Sequence, residues 1–352
     1  KDESDFAIKV FNTADDGNWI DESKGMMPGT NILHLKKSNK ELADELNITE
    51  DDFSKKLESI RKKLFIYREK RIHPHKDDKI LTDWNGLMIS AFAKAAQAFN
   101  DKEYADAAIK AYSFIEKYLT GKDGRLIHRF RDGESGLQAH IDDYAFMINA
   151  LIDLYETTFE IKFLKRAIEL NEILMKEFWD EQNGGFYFTS SKSEELIARQ
   201  KDVYDGAVPS GNSVALLNLI RLSRFTANIY FEKKASLLVK YFSGYISKSP
   251  SVFCMFMCGL DFLFSSSNEI VIVYKKKDDE AIQGINLIRN IFNPNKIVIL
   301  KSSDNQYEFG ELLSFTKDMK TKDNSTTFYV CRDYSCNQPV NSIKELQKLL
   351  LL

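Results

Sequence analysis

Hydrophobic residues along the chain recur as pairs of helices. A helix that is apolar on most sides is followed by an amphipathic one and then by a polar turn that contains glycine. The apolar members are predicted at 87–99, 144–159, 211–225 and 252–264, and the amphipathic ones at 104–119, 163–179 and 230–246. A helix that is apolar all round is enclosed by protein, whereas an amphipathic helix covers it. The pattern therefore predicts the inner and outer layers of an α/α toroid, with an α-solenoid or an irregular bundle as alternatives.

The first three apolar helices also carry a narrow line of polar residues. The positions nine and twelve residues after Asn85, Tyr144 and Asn212 are polar in all three repeats, and two further polar residues extend the line. Its members are Ser90, Lys94, Gln97, Asn149, Asp153, Glu156, Arg221 and Arg224. Spacings of three and four residues place them on one helical face. We call this set the polar stripe.

The segments on either side of the repeat differ from it. Residues 1–75 are a polar entry segment with an amphipathic helix, which we expect to belong to the toroid. Its apolar residues Phe53, Leu57, Ile60, Leu64 and Tyr67 predict one buried face. Residues 76–266 hold the helical hairpins. Residues 267–352 predict a small α/β unit, with strands at 270–274, 296–300 and 327–330 and helices at 281–292 and 343–352. The expected fold is mainly α, a toroid segment with a small C-terminal α/β unit.

Composition narrows the function classes. Glycine and proline make up about 6% of the chain, roughly half the usual share, which disfavours a β-sandwich or barrel. A formal net charge of −3 gives no nucleic-acid signal, and the longest apolar run is too short to span a membrane. Four cysteines are too few for a disulfide scaffold and favour a reducing, cytoplasmic compartment. We expect no cofactor, because the chain has no phosphate loop or dinucleotide fingerprint.

Polar clusters lie just ahead of the predicted inner helices. Parallel inner helices bring their N-termini to one mouth of a toroid, where free N–H groups suit polar or anionic ligands. Asp, Ser and Asn at such positions are first of all helix caps, which could account for Asp83, Asp142 and Ser210. Capping does not require two adjacent Asp residues, as at 77–78 and 142–143, beside aromatic residues. Carboxylates with aromatic platforms are typical of a sugar site.

The clusters therefore predict an enzyme that acts on a carbohydrate or a polyol. The acid and base candidates are Asp78, Asp142 and Asp143, with Trp84 and Tyr144 as platforms. The predicted substrate-binding residues are Arg71, His73, Trp84, Asn85, Tyr144, Asp205, Ser210 and Asn212. Epimerisation rather than hydrolysis would require histidine bases, for which the candidates are His73, His75 and His140.

Other groups of reactive residues indicate less. His73 and His75 lack Cys or His companions at metal-ligand spacing, so we predict no metal site. Cys331 and Cys336 are separated by four residues, which fits neither a redox pair nor a zinc site. Thiol chemistry would require their sulfur atoms to be close and exposed. Cys254 and Cys258 are predicted to pack inside a buried helix.

Several ordered motifs resemble those of the YyaL and spermatogenesis-associated protein 20 family. They include Asp77-Asp78-Lys79, Trp84-Asn85-Gly86-Leu87, Asp142-Asp143-Tyr144-Ala145, Gly184-Gly185-Phe186 and Pro209-Ser210-Gly211-Asn212-Ser213. Tyr329-Val330-Cys331 with Cys336 and Pro339 is similar to that family's C-terminus. His140 stands where the family pattern would have an apolar residue.

The resemblance implies a specific architecture. Members carry an N-terminal thioredoxin-like domain followed by an (α/α)6 toroid like that of six-hairpin glycosidases and N-acylglucosamine 2-epimerases. This chain resembles the C-terminal half, so we expect the thioredoxin-like domain and the first hairpins to be missing from it. The alternative to an enzyme is a noncatalytic binding or scaffold module that presents clients to that domain. It predicts a shallow or filled toroid centre.

Overall fold

The computed structural model describes residues 2–194, 197–275, 278–303, 309, 312–332 and 335–351. Asp333 and Tyr334, between the two C-terminal cysteines, and Leu352, at the end of the last predicted helix, lie outside these ranges. The chain divides into two compact units, residues 1–77 and 78–352, which are described separately. None of the helices within these ranges is long and apolar enough to cross a membrane.

The first unit contains three helices: α1 (Asp2–Val10), α2 (Asn39–Leu46) and α3 (Glu50–Arg68). Ser38 and Glu41 form a capping box at the start of α2, and the Thr49 side chain caps α3. Its small core holds the side chains of Phe6, Val10, Leu42, Ala43, Phe53, Leu57 and Ile60. The predicted buried face is wrong for Leu64 and Tyr67, which are exposed because this core ends at Ile60. Whether residues 1–75 belong to the toroid stays a prediction.

The second unit begins with three and a half helical hairpins. The inner helices are α4 (Thr82–Phe99), α6 (Ile141–Thr158), α8 (Gly211–Thr226) and α10 (Cys254–Phe264), and the outer ones are α5 (Lys102–Tyr118), α7 (Ile161–Phe178) and α9 (Ile229–Ile246). Each predicted helix is present, with bounds that differ by at most a few residues at α5–α10. Nearly all of α6 and α8 is buried, since both have neighbours on several sides.

The inner helices run parallel. Contacts between α4 and α6 advance in the same direction along both helices, from Asp83 with Asp143 to Gln97 with Thr157. Asn218 of α8 donates to the Ala145 carbonyl in the same sense. Gly86 allows the closest approach, because a Cβ there would lie 2.8 Å from the backbone carbon of Phe146. The predicted fold class, a mainly α toroid segment with a C-terminal α/β unit, is confirmed.

A small antiparallel sheet, which the helical pattern did not predict, lies beside the helices. Its strands are β1 (Ile80–Leu81), β2 (Ile127–Arg131) and β3 (Glu134–Gln138), in that order. Asp132 and Gly133 join β2 to β3, both with positive φ angles (52° and 83°), which suits a two-residue hairpin turn. This hairpin replaces a simple turn between the first two helix pairs.

The C-terminal part of the second unit has a four-stranded sheet in the order β5-β4-β6-β7. These strands are β4 (Asn268–Tyr274), β5 (Lys296–Ser302), β6 (Thr327–Arg332) and β7 (Ser335–Cys336), with helices α11 (Asp279–Asn290) and α12 (Ile343–Leu351). Strand β4 is parallel to β5 and antiparallel to β6. The predicted strands and helices are therefore present.

The cysteines depart from the sequence predictions. Cys331 and Cys336 face each other on β6 and β7 and form a disulfide, which their number and spacing did not predict. Cys331 is buried, so the condition for thiol chemistry, two exposed sulfur atoms, is not met. Cys254 and Cys258 are exposed rather than packed, because α10 buries Phe256, Gly259 and Phe262 instead.

Candidate functional site

The N-termini of the inner helices lie side by side, and carboxylates from neighbouring segments contact the starts of α4, α8 and α10. Asp143 Oδ1 on α6 accepts the Asp83 N–H at the start of α4, at 3.0 Å. Asp142 lies against the start of α8, where a Cβ on Gly211 would be 2.4 Å from its Oδ1. Asp205 Oδ2 accepts the N–H groups of Met255 and Phe256 at the start of α10, at 2.8 and 3.0 Å. Asp143 and Asp205 thus satisfy free N–H groups at the helix starts.

Asp143 is the centre of the polar cluster at this mouth. Its side chain is fully buried. Besides the Asp83 N–H, it accepts the His140 N–H at 2.8 Å and faces His128 Nδ1, 3.0 Å from both carboxylate oxygens. His140 Nδ1 lies 3.8 Å from Oδ2. We call Asp83, His128, His140, Asp142 and Asp143 the mouth cluster.

Two different elements bring the imidazoles together. His128 lies on strand β2, and His140 is the residue that precedes helix α6. Their ring centroids are 5.1 Å apart, and His140 stacks on Phe188 at 4.7 Å. The side chains of His128 and His140 remain 20% and 32% exposed, so solvent reaches both. His128 was not among the predicted site residues, although the Asp132-Gly133 turn after β2 is a hairpin signal.

The environment moves the pKa values of these groups in opposite directions. The hydrogen bond to Asp143 raises the pKa of His128, whereas burial lowers that of His140. Burial, with Asp143 and Asp83 nearby, raises the pKa of Asp142 to about 7. Burial and the charge of Asp143 also raise the pKa of Asp83. Near neutral pH the mouth can therefore hold both a proton donor and a proton acceptor.

Four of the other predicted site residues use their side chains within the protein. Buried Tyr144 accepts the Leu126 N–H through its hydroxyl, at 3.2 Å. Asn212 is bonded to both backbone groups of Phe186: its Oδ1 accepts the Phe186 N–H at 2.8 Å and its Nδ2 donates to the Phe186 carbonyl at 2.9 Å. Ser210 caps α8, and Asp205 accepts the Ser210 N–H as well as the α10 groups.

Three predicted residues lie near the start of α4 with more open surroundings. Asp78 is half exposed and pairs with Arg131 Nε at 2.9 Å. Trp84 is 62% exposed, which leaves its ring available as a platform. Asn85 donates to the Leu81 carbonyl at 2.8 Å and is only partly exposed. The hydroxyl and stacking roles predicted for Trp84 and Asn85 stay predictions.

Arg71 and His73 belong to the first unit. The guanidinium of Arg71 lies 5.6 Å from the centre of the Tyr67 ring. His73 Nε2 is 3.4 Å from the Glu69 carbonyl oxygen, and both Arg71 and His73 are exposed. These local contacts do not involve a polar ligand, and they do not prevent either side chain from binding one.

His128, His140 and Asp143 also have a composition that suits a divalent cation. Their possible ligand atoms all lie within 4.8 Å of one another. Both oxygens of Asp143 already accept N–H groups of the protein, however, and a cation would have to displace the His128 contact. We therefore assign no metal to the mouth cluster.

The polar stripe forms a separate network farther along the inner helices. Arg221 donates to Asp153 and Glu156 at 2.7 and 2.8 Å, and Lys94 Nζ lies 3.0 Å from Asp153 Oδ1. Asn149 and Ser90 complete the set of contacts around Asp153. Burial alone would raise the pKa of Asp153, but Lys94 and Arg221 lower it. The spacing correctly predicted that these residues share one face.

A cavity of about 770 Å³ adjoins this network, and we call it the stripe cavity. It lies between the polar stripe of α4, α6 and α8 on one side and α11 with β5 on the other. Leu87, Phe146 and Pro209 line it near the mouth, but the mouth cluster and Trp84 are not among its lining residues. The stripe cavity is thus distinct from the predicted acid and base residues.

Similar proteins are found among curated sequences. The chain is 30% identical over 339 residues to spermatogenesis-associated protein 20 of Homo sapiens, covering 94% of this chain and 43% of that protein. The protein of the same name from Rattus norvegicus is 29% identical, with coverage of 97% and 45%. The chain thus spans less than half the length of these relatives. The resemblance drawn from the motifs is confirmed.

No protein-family model matches the chain. Among solved structures, a cellobiose 2-epimerase from Bacillus thermoamylovorans is similar with a TM-score of 0.41 and 19% identity, covering 48% of this chain and 46% of that one. This similarity is too low to bear on function. The fold assignment rests on the parallel inner helices and their outer partners.

Proposed function

The chain is a homologue of spermatogenesis-associated protein 20, and from that premise we propose that its toroid segment belongs to a carbohydrate- or polyol-active enzyme that moves protons at the mouth cluster. The activity, the thioredoxin-like domain expected from the resemblance and the cytoplasmic location are all parts of this proposal. The name of the homologues describes no reaction, so the proposal depends on local chemistry.

One observation carries it: two imidazoles 5.1 Å apart whose pKa values are shifted in opposite directions. Epimerisation or isomerisation next to a carbonyl requires one group to remove a proton from carbon and another to return or relay it. A neutral His140 suits the base, and a protonated His128, oriented by Asp143, suits the acid. This arrangement favours an epimerase or isomerase over the hydrolase that carboxylates alone would suggest.

The carboxylates have supporting roles in this scheme. Asp142, with a pKa of about 7, is the carboxylate best suited to exchange a proton. Asp143 is a positioning residue, since it holds His128 and the helix N-termini. Trp84 supplies a platform for the apolar face of a sugar, and Asp78 a hydrogen-bond acceptor near it.

Deuterium incorporation provides the test. The chain would be incubated with aldoses, ketoses and polyol-derived ketones in deuterated water, and exchange at the carbon beside the carbonyl followed by NMR. We expect His140→Gln and His128→Gln to lower the rate by roughly 10²- to 10⁴-fold, with circular dichroism unchanged. The control is His34→Gln, an exposed histidine of the first unit.

The scaffold alternative has its own supporting observation. Asp143 and Asp205 both accept backbone N–H groups, so helix capping explains part of their placement. A scaffold would give no exchange with any substrate, and the histidine variants would change only stability. That result would overturn the enzyme proposal.

A further inference from the structure

The stripe cavity has an apolar lining in which positively charged side chains outnumber negatively charged ones. Its volume of about 770 Å³ is within the range of small-molecule sites. The apolar lining comes from both walls: Leu87, Phe146, Leu217, Met255, Ile285, Ile288, Phe292 and Val298. Such a lining, with polar groups along one wall, is typical of a ligand site.

Cations outnumber carboxylates in the lining. Lys94, Arg221, Arg289 and Lys296 face the cavity with only Asp153 and Glu156 as acidic counterparts. Both acids already contact Lys94 and Arg221. This leaves the charges of Arg289 and Lys296 to be balanced.

Arg289 and Lys296 bind helix C-termini instead of carboxylates. Arg289 donates to the carbonyls of Glu156 and Thr157 at the end of α6, at 3.2 and 2.8 Å. Lys296 donates to the carbonyls of Ile288 and Ile291 at the end of α11, both at 3.0 Å. Among residues described in the structure, neither has an acidic side chain at salt-bridge distance. Each helix end carries roughly half a negative charge, so together they offset about one of the two cations.

About one positive charge therefore remains on the cavity wall. Burial lowers the pKa of Lys296, and the charge of Lys94, whose side chain is 53% exposed, lowers it further against the opposing effect of Glu156. A bound anion would relieve both the repulsion from Lys94 and the cost of partly burying the Lys296 ammonium.

We propose that the stripe cavity binds a small organic monoanion, with its charged group at Lys94 and Lys296 and its apolar part against Leu217, Ile288 and Phe292. The ligand class is a carboxylate or sulfonate with a compact apolar body. This site does not depend on proton transfer at the mouth cluster.

A matched pair of fluorescent probes tests the proposal on the whole chain. Anilinonaphthalene sulfonate has the required charge and rings, and phenylnaphthylamine has the rings without the charge. We expect saturable binding of the sulfonate, roughly tenfold tighter than that of the neutral probe. Equal affinities for the two probes would contradict the charge argument.

Variants locate the binding site. Lys94→Gln and Lys296→Gln should each weaken sulfonate binding roughly fivefold or more, whereas Lys110→Gln, on the exposed face of α5, should not. Leu217→Trp fills the cavity and should remove binding of both probes. If either lysine variant fails to fold by circular dichroism, the other lysine and Leu217→Trp decide. Unchanged sulfonate affinity in a folded lysine variant, or binding that survives Leu217→Trp, would overturn the proposal.

Discussion

The mouth cluster and the polar stripe contain similar residue types, but the pKa values of their carboxyl groups are shifted in opposite directions. In the stripe, Asp153 and Glu156 are held between Arg221 and Lys94, which lower the pKa of Asp153 against the effect of burial. At the mouth, Asp83, Asp142 and Asp143 lie together, and the pKa values of the first two rise.

The difference comes from what neutralises each carboxylate. Full cations balance the stripe, which joins α4, α6 and α8. Backbone N–H groups and histidines, which carry at most partial or variable charge, balance the mouth. The pKa values of Asp83 and Asp142 are raised at the mouth and that of Asp153 is lowered in the stripe, so proton exchange near pH 7 is favoured at the mouth rather than in the stripe.

The largest expected effect is at the stripe. Arg221→Met leaves Asp153 and Glu156 buried with Lys94 as the remaining cation, and should lower the free energy of unfolding by about 3–5 kcal/mol. Urea unfolding followed by circular dichroism measures it. Lys102→Met, which removes an exposed pair with Asp106, is the control and should cost less than about 1 kcal/mol. If Arg221→Met lowers the free energy of unfolding no more than the control does, charge balance in the stripe does not stabilise the packing of α4, α6 and α8.

The second prediction concerns pH and separates the two regions. The folded pKa of Asp142, about 7, lies above its ordinary value, so the folded state holds the extra proton. Its contribution to stability is complete at acidic pH and is lost as pH rises through 7. Asp153 has a lowered pKa, so its contribution to stability is present at pH values above its ordinary pKa and is lost only at acidic pH.

Asp142→Asn removes the pH-dependent contribution of Asp142 to the free energy of unfolding. Relative to wild type, the variant should gain on the order of 2 kcal/mol between pH 5 and pH 8, a figure reduced from the full shift because Asp142 is only partly buried. Unfolding titrations at both pH values measure the gain. A difference between the two proteins that does not change with pH would contradict the raised pKa.

The periodic part of the fold was predictable from sequence. The inner and outer helices and the stripe follow from a 3.6-residue period over long segments, which local sequence encodes directly. The site was harder to predict. His128 meets His140 and Asp143 through a hairpin whose strands are only five residues long, and nothing in the helical pattern indicates that contact.

Burial also separated residues that look alike in sequence. Asp142 and Asp143 are adjacent, yet Asp142 contacts the start of α8 and Asp143 caps α4, and only tertiary structure distinguishes the two. Leu64 and Tyr67 continue an apolar period beyond the end of the core that it serves. Periodicity identifies a face but not how far along a helix that face is covered.

A smaller effect tests whether the mouth cluster holds neighbouring inner helices together. A Cβ at Gly211 would lie 2.4 Å from Asp142 Oδ1 and 2.9 Å from Ile141, so Gly211→Ala must move the Asp142 carboxylate. We expect a loss of about 1–2 kcal/mol. Gly244→Ala, in α9 with open space around it, is the matched control and should stabilise by about 0.5–1 kcal/mol. Equal changes at the two glycines would mean that the Asp142 contact does not join α6 to α8.

The smallest predicted change concerns a single hydrogen bond at the mouth. Tyr144→Phe removes the hydroxyl that accepts the Leu126 N–H and should cost about 1 kcal/mol in thermal unfolding. If Tyr144 supports the site only through this bond, substrate exchange should persist in the variant at temperatures where it is folded. Loss of exchange in a fully folded Tyr144→Phe protein would place the hydroxyl on the substrate instead. Tyr144 would then be a substrate-binding residue rather than one that only stabilises the fold.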